Sequence, residues 1–91
     1  MSKIVITAQV EDAAKWEASY RTHGELLKGM TASSSHFTTT EDNEVVIFAE
    51  VGDIDTYMEI LKSETTIKAM AEDGVKRETV KVYVLDKEFV F

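Results

Sequence analysis

The chain has 91 residues, 44% hydrophobic and 30% charged, a globular composition sized for one domain, residues 1–91, near the lower limit of what folds alone. A net charge of −7 with ten scattered Lys and Arg argues against nucleic acid, which needs a positive stripe against its phosphates. The absence of cysteine excludes disulfides, thiolate nucleophiles, zinc–thiolate sites and iron–sulfur clusters, and no apolar run approaches the roughly 20 residues of a membrane span.

Met1-Ser2-Lys3 leads into alternating residues without the apolar core and cleavage site of a signal peptide, so a cytoplasmic location is expected. Over Lys3–Val10, Ile4, Ile6, Ala8 and Val10 share one face while Val5, Thr7 and Gln9 share the other, the period of a strand. Glu11-Asp12 offers an N-cap and early negative charge for a helix. From Ala13 a stripe of Trp16, Tyr20, His23, Leu27 and Met30 recurs at three- and four-residue spacings, which predicts one helix ending near Gly29. Gly24 inside it costs about 1 kcal/mol relative to alanine and marks either a close approach of another element or a tolerated weakness.

Ala32–Thr40 is rich in Ser and Thr, and its β-branched threonines together with the following hairpin predict an edge strand. Glu41–Glu44 is the turn into Asn43–Val51. There five successive residues, Val45–Ala49, are apolar, so both faces of this strand must be covered and it belongs in the middle of a sheet. Gly52-Asp53 ends it and caps a helix from Ile54 with Tyr57, Met58 and Leu61 on its apolar side. Ser63-Glu64 predicts a kink and a further segment through Asp73, closed by Gly74 at the C′ position. Glu78–Leu85 returns to strand alternation, and Phe89-Val90-Phe91 leaves apolar groups that need a place to dock.

The order strand, helix, strand, strand, helix, strand predicts an α+β, ferredoxin-like βαββαβ domain. Its antiparallel sheet has the order 4-1-3-2, with both helices on one face. Val5, Val46, Phe48 and Tyr83 are then left uncovered. An apolar patch of that kind implies a partner, and a homodimer through the helix-free sheet faces is expected, with the Phe89–Phe91 tail lying across the partner.

Asp12, Trp16, Tyr20 and His23 on the first helix, Asn43-Glu44-Val45-Val46 opening the third strand, and Ser63-Glu64, Met70 and Gly74-Val75 around the second helix together resemble the small dimeric α/β-barrel proteins related to antibiotic-biosynthesis monooxygenases and polyketide cyclases. The resemblance spans nearly the whole chain and is closest to uncharacterised small members. It implies homodimers with facing sheets, a ligand pocket between sheet and helices, and activities that range from cofactor-free oxygenation to none.

His23 is the sharpest candidate site residue. An imidazole on an apolar stripe beside Tyr20 and Trp16 suits a general acid/base in an apolar cavity; the plainer reading is a half-buried histidine bonded to its surroundings. Trp16, Tyr20, Tyr57 and Leu61 are expected to wall a site for an apolar aromatic or polyketide-like molecule, though residues such as Trp16 and Tyr20 more often serve core packing. His36 is a second catalytic candidate whose face depends on strand register. No metal site is expected, because two lone histidines lack carboxylates at ligand spacing, and no cofactor is expected either. Glu50 is expected either to pair with Lys81 or Gln9 or to reach the rim. The two functional readings are a metal-free enzyme with His23 as acid/base, and a non-catalytic ligand-binding or accessory dimer.

Overall fold

A computed structural model describes residues 1–91. Its elements are β1 (Ser2–Val10), α1 (Ala13–Tyr20), α2 (Gly24–Gly29), β2 (Ala32–Thr39), β3 (Glu44–Val51), α3 (Ile54–Leu61), α4 (Glu64–Glu72) and β4 (Val75–Val84). The antiparallel sheet runs β2-β3-β1-β4, so the two apolar-faced strands β1 and β3 are central and β2 is an edge, as expected. Ile6 faces Ile47 across the β1–β3 ladder, and Val5 faces Phe48. Because directly paired residues share a face, the first pair looks toward the helices and the second away from them.

The core fills the helix side. Ile4, Val10, Val45 and Val51 are the largest fully buried side chains, and Trp16, Met30 and Tyr57 close over them from the helix layer. Each such aliphatic side chain contributes about 1.5–3 kcal/mol by leaving water. On the opposite face Val5, Val46 and Phe48 are only half-buried, and Tyr83 is exposed.

The first helical region departs from expectation. The single helix predicted from Ala13 to about Gly29 is two helices, broken between Tyr20 and Gly24. At the break Thr22 N donates to Ser19 O and His23 N to Tyr20 O, i to i−3 bonds that tighten and end the first helix. The Thr22 hydroxyl also donates to Ser19 O at 2.6 Å. These local bonds satisfy carbonyls that a continuous helix would have used. No other part of the chain comes within 4 Å of where a Gly24 side chain would begin, so the close approach considered for Gly24 is absent.

The remaining boundaries follow their caps. Asp12 accepts from Ala14 N and Lys15 N, Asp53 from Thr56 N, and Ser63 from Thr66 N, each filling a donor that a helix start leaves open. Gly74 has φ +76°, the left-handed conformation expected of a C′ glycine. Strand β4 begins at Val75, not Glu78. The charged Lys76-Arg77-Glu78 lies on an exposed edge, and a register shift opposite Thr7–Gln9 hides its alternation. Glu50 does not pair with Lys81 or Gln9. Its neighbours across the ladders are Lys3 and Ser34, while Lys81 faces Thr7 and Gln9 faces Glu44. No helix is long and apolar enough to cross a membrane.

Candidate functional site

Between the helix layer and the sheet lies a cavity of about 90 Å³. Trp16, Tyr20, His23, Tyr57 and Leu61 all border it, so the side chains placed there by periodicity are brought together although they come from two helices and a helix break. Engineered apolar cavities that admit benzene measure roughly 150 Å³. The space therefore suits a compact ligand, and a polycyclic polyketide does not fit it in this shape.

One end of the wall is aromatic. Trp16 stacks on Tyr20 with ring centroids 4.8 Å apart, and Phe37 of β2 stands edge-on to both at 5.5 and 5.3 Å. Trp16 is 2% exposed, so it supports the fold as well as bordering the cavity. The Tyr20 hydroxyl shares a 2.8 Å hydrogen bond with the Ser35 hydroxyl. Burial raises the Tyr20 pKa, partly offset by that bond. Burial pushes the Tyr57 phenol further, well above the ordinary phenol range, and the neighbouring Tyr20 adds to the shift because two phenolates would repel. Both phenols are therefore neutral at physiological pH.

The other end carries the titratable groups. His23 Nε2 lies 2.9 and 3.2 Å from the two carboxylate oxygens of Asp73. The Asp73 side chain is 7% exposed and that of His23 is 23% exposed, so a buried carboxylate has a half-buried imidazole as its partner. With the carboxylate ionised, Nε2 must carry the proton, which leaves Nδ1 of a neutral ring as an acceptor. Nδ1 has no hydrogen bond within the protein. No sealed polar side-chain atom lacks a partner, so Nδ1 is not sealed inside the protein. A carboxylate that fixes the tautomer of a histidine is a recurring way of preparing a general base.

Asp73 was not anticipated from the sequence. It sits 50 residues from His23, at the end of α4 and beside the terminating glycine, where an acidic residue reads as solvent-facing. Only the packing of the helix break against that end of α4 reveals it. His36 is not part of this site. It pairs with Phe48 across the β2–β3 ladder, with rings 6.4 Å apart, on the helix-free face, and it is exposed. No group of three or more His, Cys, Asp or Glu is placed to hold a metal ion.

No family model matches the sequence, and no curated protein matches it. Solved structures do share the fold. A Bordetella bronchiseptica protein, provisionally described as an antibiotic biosynthesis monooxygenase, superposes with a TM-score of 0.74 at 11% identity, over 97% of each chain. SnoaB, a cofactor-independent oxygenase from Streptomyces nogalater, superposes with a TM-score of 0.68 at 18% identity, over 98% of this chain and 94% of its own. A Caulobacter crescentus protein with the same provisional description gives 0.68 at 14% identity, over 97% and 90%. The antibiotic-biosynthesis-monooxygenase fold expected from the sequence motifs is therefore the fold of this chain. At these identities the likeness extends to the fold alone.

Proposed function

We propose that the chain is an acid/base enzyme for a compact, largely apolar small molecule, with His23 as the proton-transfer group and Asp73 as the residue that positions it. The observation that carries this reading is the 2.9 Å bond between His23 Nε2 and a buried carboxylate, at the edge of a cavity otherwise walled mainly by apolar groups. In the proposed step Nδ1 accepts a proton from an acidic C–H or O–H of the substrate. The bond to hydrogen breaks, its electron pair stays on the substrate, and the imidazolium is held by the Asp73 carboxylate. The apolar walls keep competing water away and strengthen each polar contact. Cofactor-independent oxygenation, as described for SnoaB, is compatible with a reaction begun by the protein's own acid/base groups.

The test is exchange of the C3 hydrogen of pentane-2,4-dione for deuterium in D2O, followed by proton NMR. The wild-type protein should accelerate exchange over buffer, and His23→Ala should abolish the acceleration. Asp73→Asn should reduce it while the fold persists. The asparagine amide would donate to Nε2, move the ring proton to Nδ1 and remove the acceptor, and nitrogen-15 shifts of His23 report that change directly. Exchange no faster than buffer, or unchanged in His23→Ala, would refute the acid/base reading.

The small cavity and the committed Nε2 favour a second reading, in which the His23–Asp73 contact ties the helix break to α4 in a ligand-binding or accessory protein without chemistry. Under that reading His23→Ala lowers stability and ligand affinity but there is no exchange activity to lose.

In either case we infer a homodimer through the helix-free sheet faces. Support comes from the half-buried Val5, Val46 and Phe48 beside the exposed Tyr83, and from Phe89, Val90 and Phe91, which are at least 80% exposed. Covering these groups in a sheet-to-sheet contact should bury more than about 1,000 Å² in total.

A further inference from the structure

Tyr57 is 3% exposed and borders the cavity, yet its hydroxyl has no hydrogen bond within the protein. Apart from His23 Nδ1, the other polar side chains around the space are occupied. Tyr20 bonds Ser35, Asp73 bonds His23, and the Thr66 hydroxyl donates to Ile60 O at 2.7 Å. A buried tyrosine ordinarily finds a partner for its hydroxyl, and no sealed polar side-chain atom here lacks one. The Tyr57 hydroxyl is therefore not sealed inside the protein, and the accessible space that its residue borders is the cavity.

From this we infer that Tyr57 is the group that selects the ligand, donating its phenolic hydrogen bond to a carbonyl or similar acceptor oxygen on the bound molecule. The inference rests on the cavity being the reactive site and adds a substrate class to it: a compact carbonyl compound rather than a hydrocarbon. The two open polar groups are complementary. His23 Nδ1 accepts, Tyr57 donates, and the rest of the wall is mostly apolar. A molecule with an acidic hydrogen next to a carbonyl would satisfy both. As His23 takes the proton, negative charge would move onto the carbonyl oxygen, where a hydrogen bond from Tyr57 becomes stronger. The raised pKa of the phenol, caused first by burial, keeps it a donor across the physiological range.

The experiment measures binding of cyclopentanone and cyclopentane, two rings of similar size that differ by the oxygen, to wild type and to Tyr57→Phe by NMR titration. Removing the donor should weaken cyclopentanone about tenfold, the size of one good neutral hydrogen bond, and leave cyclopentane unchanged or tighter. The melting temperature of Tyr57→Phe should stay level or rise, because the hydroxyl it loses has no partner in the protein. Equal effects on both ligands, an unaffected cyclopentanone affinity, or no cyclopentanone binding by the wild type at millimolar concentration would each overturn the inference. The selectivity readout involves no proton transfer. Failure of the exchange assay with intact ketone selectivity would thus remove the acid/base reading alone, and the converse result would remove the role of Tyr57 alone.

Discussion

One sheet carries two faces of unequal apolar content and opposite fate. On the helix side Val45, Ile47, Ala49 and Val51 are buried beneath α1 to α4, with His23 bonded to Asp73 at the cavity edge. On the other side Val46 and Phe48 of the same strand are half-buried, and His36 stands beside Phe48 in the open. The difference teaches that only the helix-covered face gives a histidine both a carboxylate partner and a neighbouring cavity. His23 has a carboxylate partner and a cavity beside it, whereas His36 has a phenylalanine and solvent.

The strongest way to break the helix-side face is Trp16→Ala. It removes the ring stacked on Tyr20 and a wall of the cavity, and it should cost about 3–5 kcal/mol in urea unfolding. On the open face Phe48→Asp should weaken self-association by about 2–3 kcal/mol, roughly a hundredfold, read by sedimentation across a concentration series. A wild-type protein that sediments as a monomer at micromolar concentration would end the dimer proposal. Asp73→Ala should cost about 1–3 kcal/mol because it strands the His23 N–H that the carboxylate now accepts from, and the loss should be absent in a His23→Ala background.

A subtler contrast lies in alkaline stability. Tyr57 and Tyr20 both have folded pKa values above the ordinary 10.0, so their contribution is fully present below pH 10. As pH rises past 10 the unfolded chain loses these protons first, and stability must fall. Denaturant midpoints taken from pH 9 to 11 should therefore decline less steeply in Tyr57→Phe. The smallest expected effect belongs to His36→Ala, within about 0.5 kcal/mol in stability and with no change in pentane-2,4-dione exchange. A large loss of exchange in that variant would erase the distinction between the two faces.

Local pattern carried most of the architecture. The alternation in Lys3–Val10 and Asn43–Val51, the three-four spacing of Trp16 and Tyr20, and the caps at Asp12, Asp53 and Ser63 each specify how a residue points relative to its own element. That is enough to order the sheet and to gather Trp16, Tyr20, His23, Tyr57 and Leu61 around one space. The stripe stayed readable through the break at Tyr20–Gly24 because α2 resumes it inward with Leu26, Leu27 and Met30. The break itself was not readable, since it depends on which carbonyls Thr22 and His23 satisfy once the chain is folded.

What the tertiary structure alone decided are relations between elements. Asp73 meets His23 across 50 residues, and nothing in either neighbourhood encodes the meeting, because a helix end specifies its own cap and not what packs against it. The side occupied by His36 follows from the β2–β3 register, where a shift of one residue would send it to the opposite face. The open hydroxyl of Tyr57 is decided in the same way. The sequence makes the ring apolar-facing, but whether its oxygen finds a partner depends on every element that surrounds it. Periodicity is a property of one segment, whereas hydrogen-bond satisfaction belongs to the packed whole.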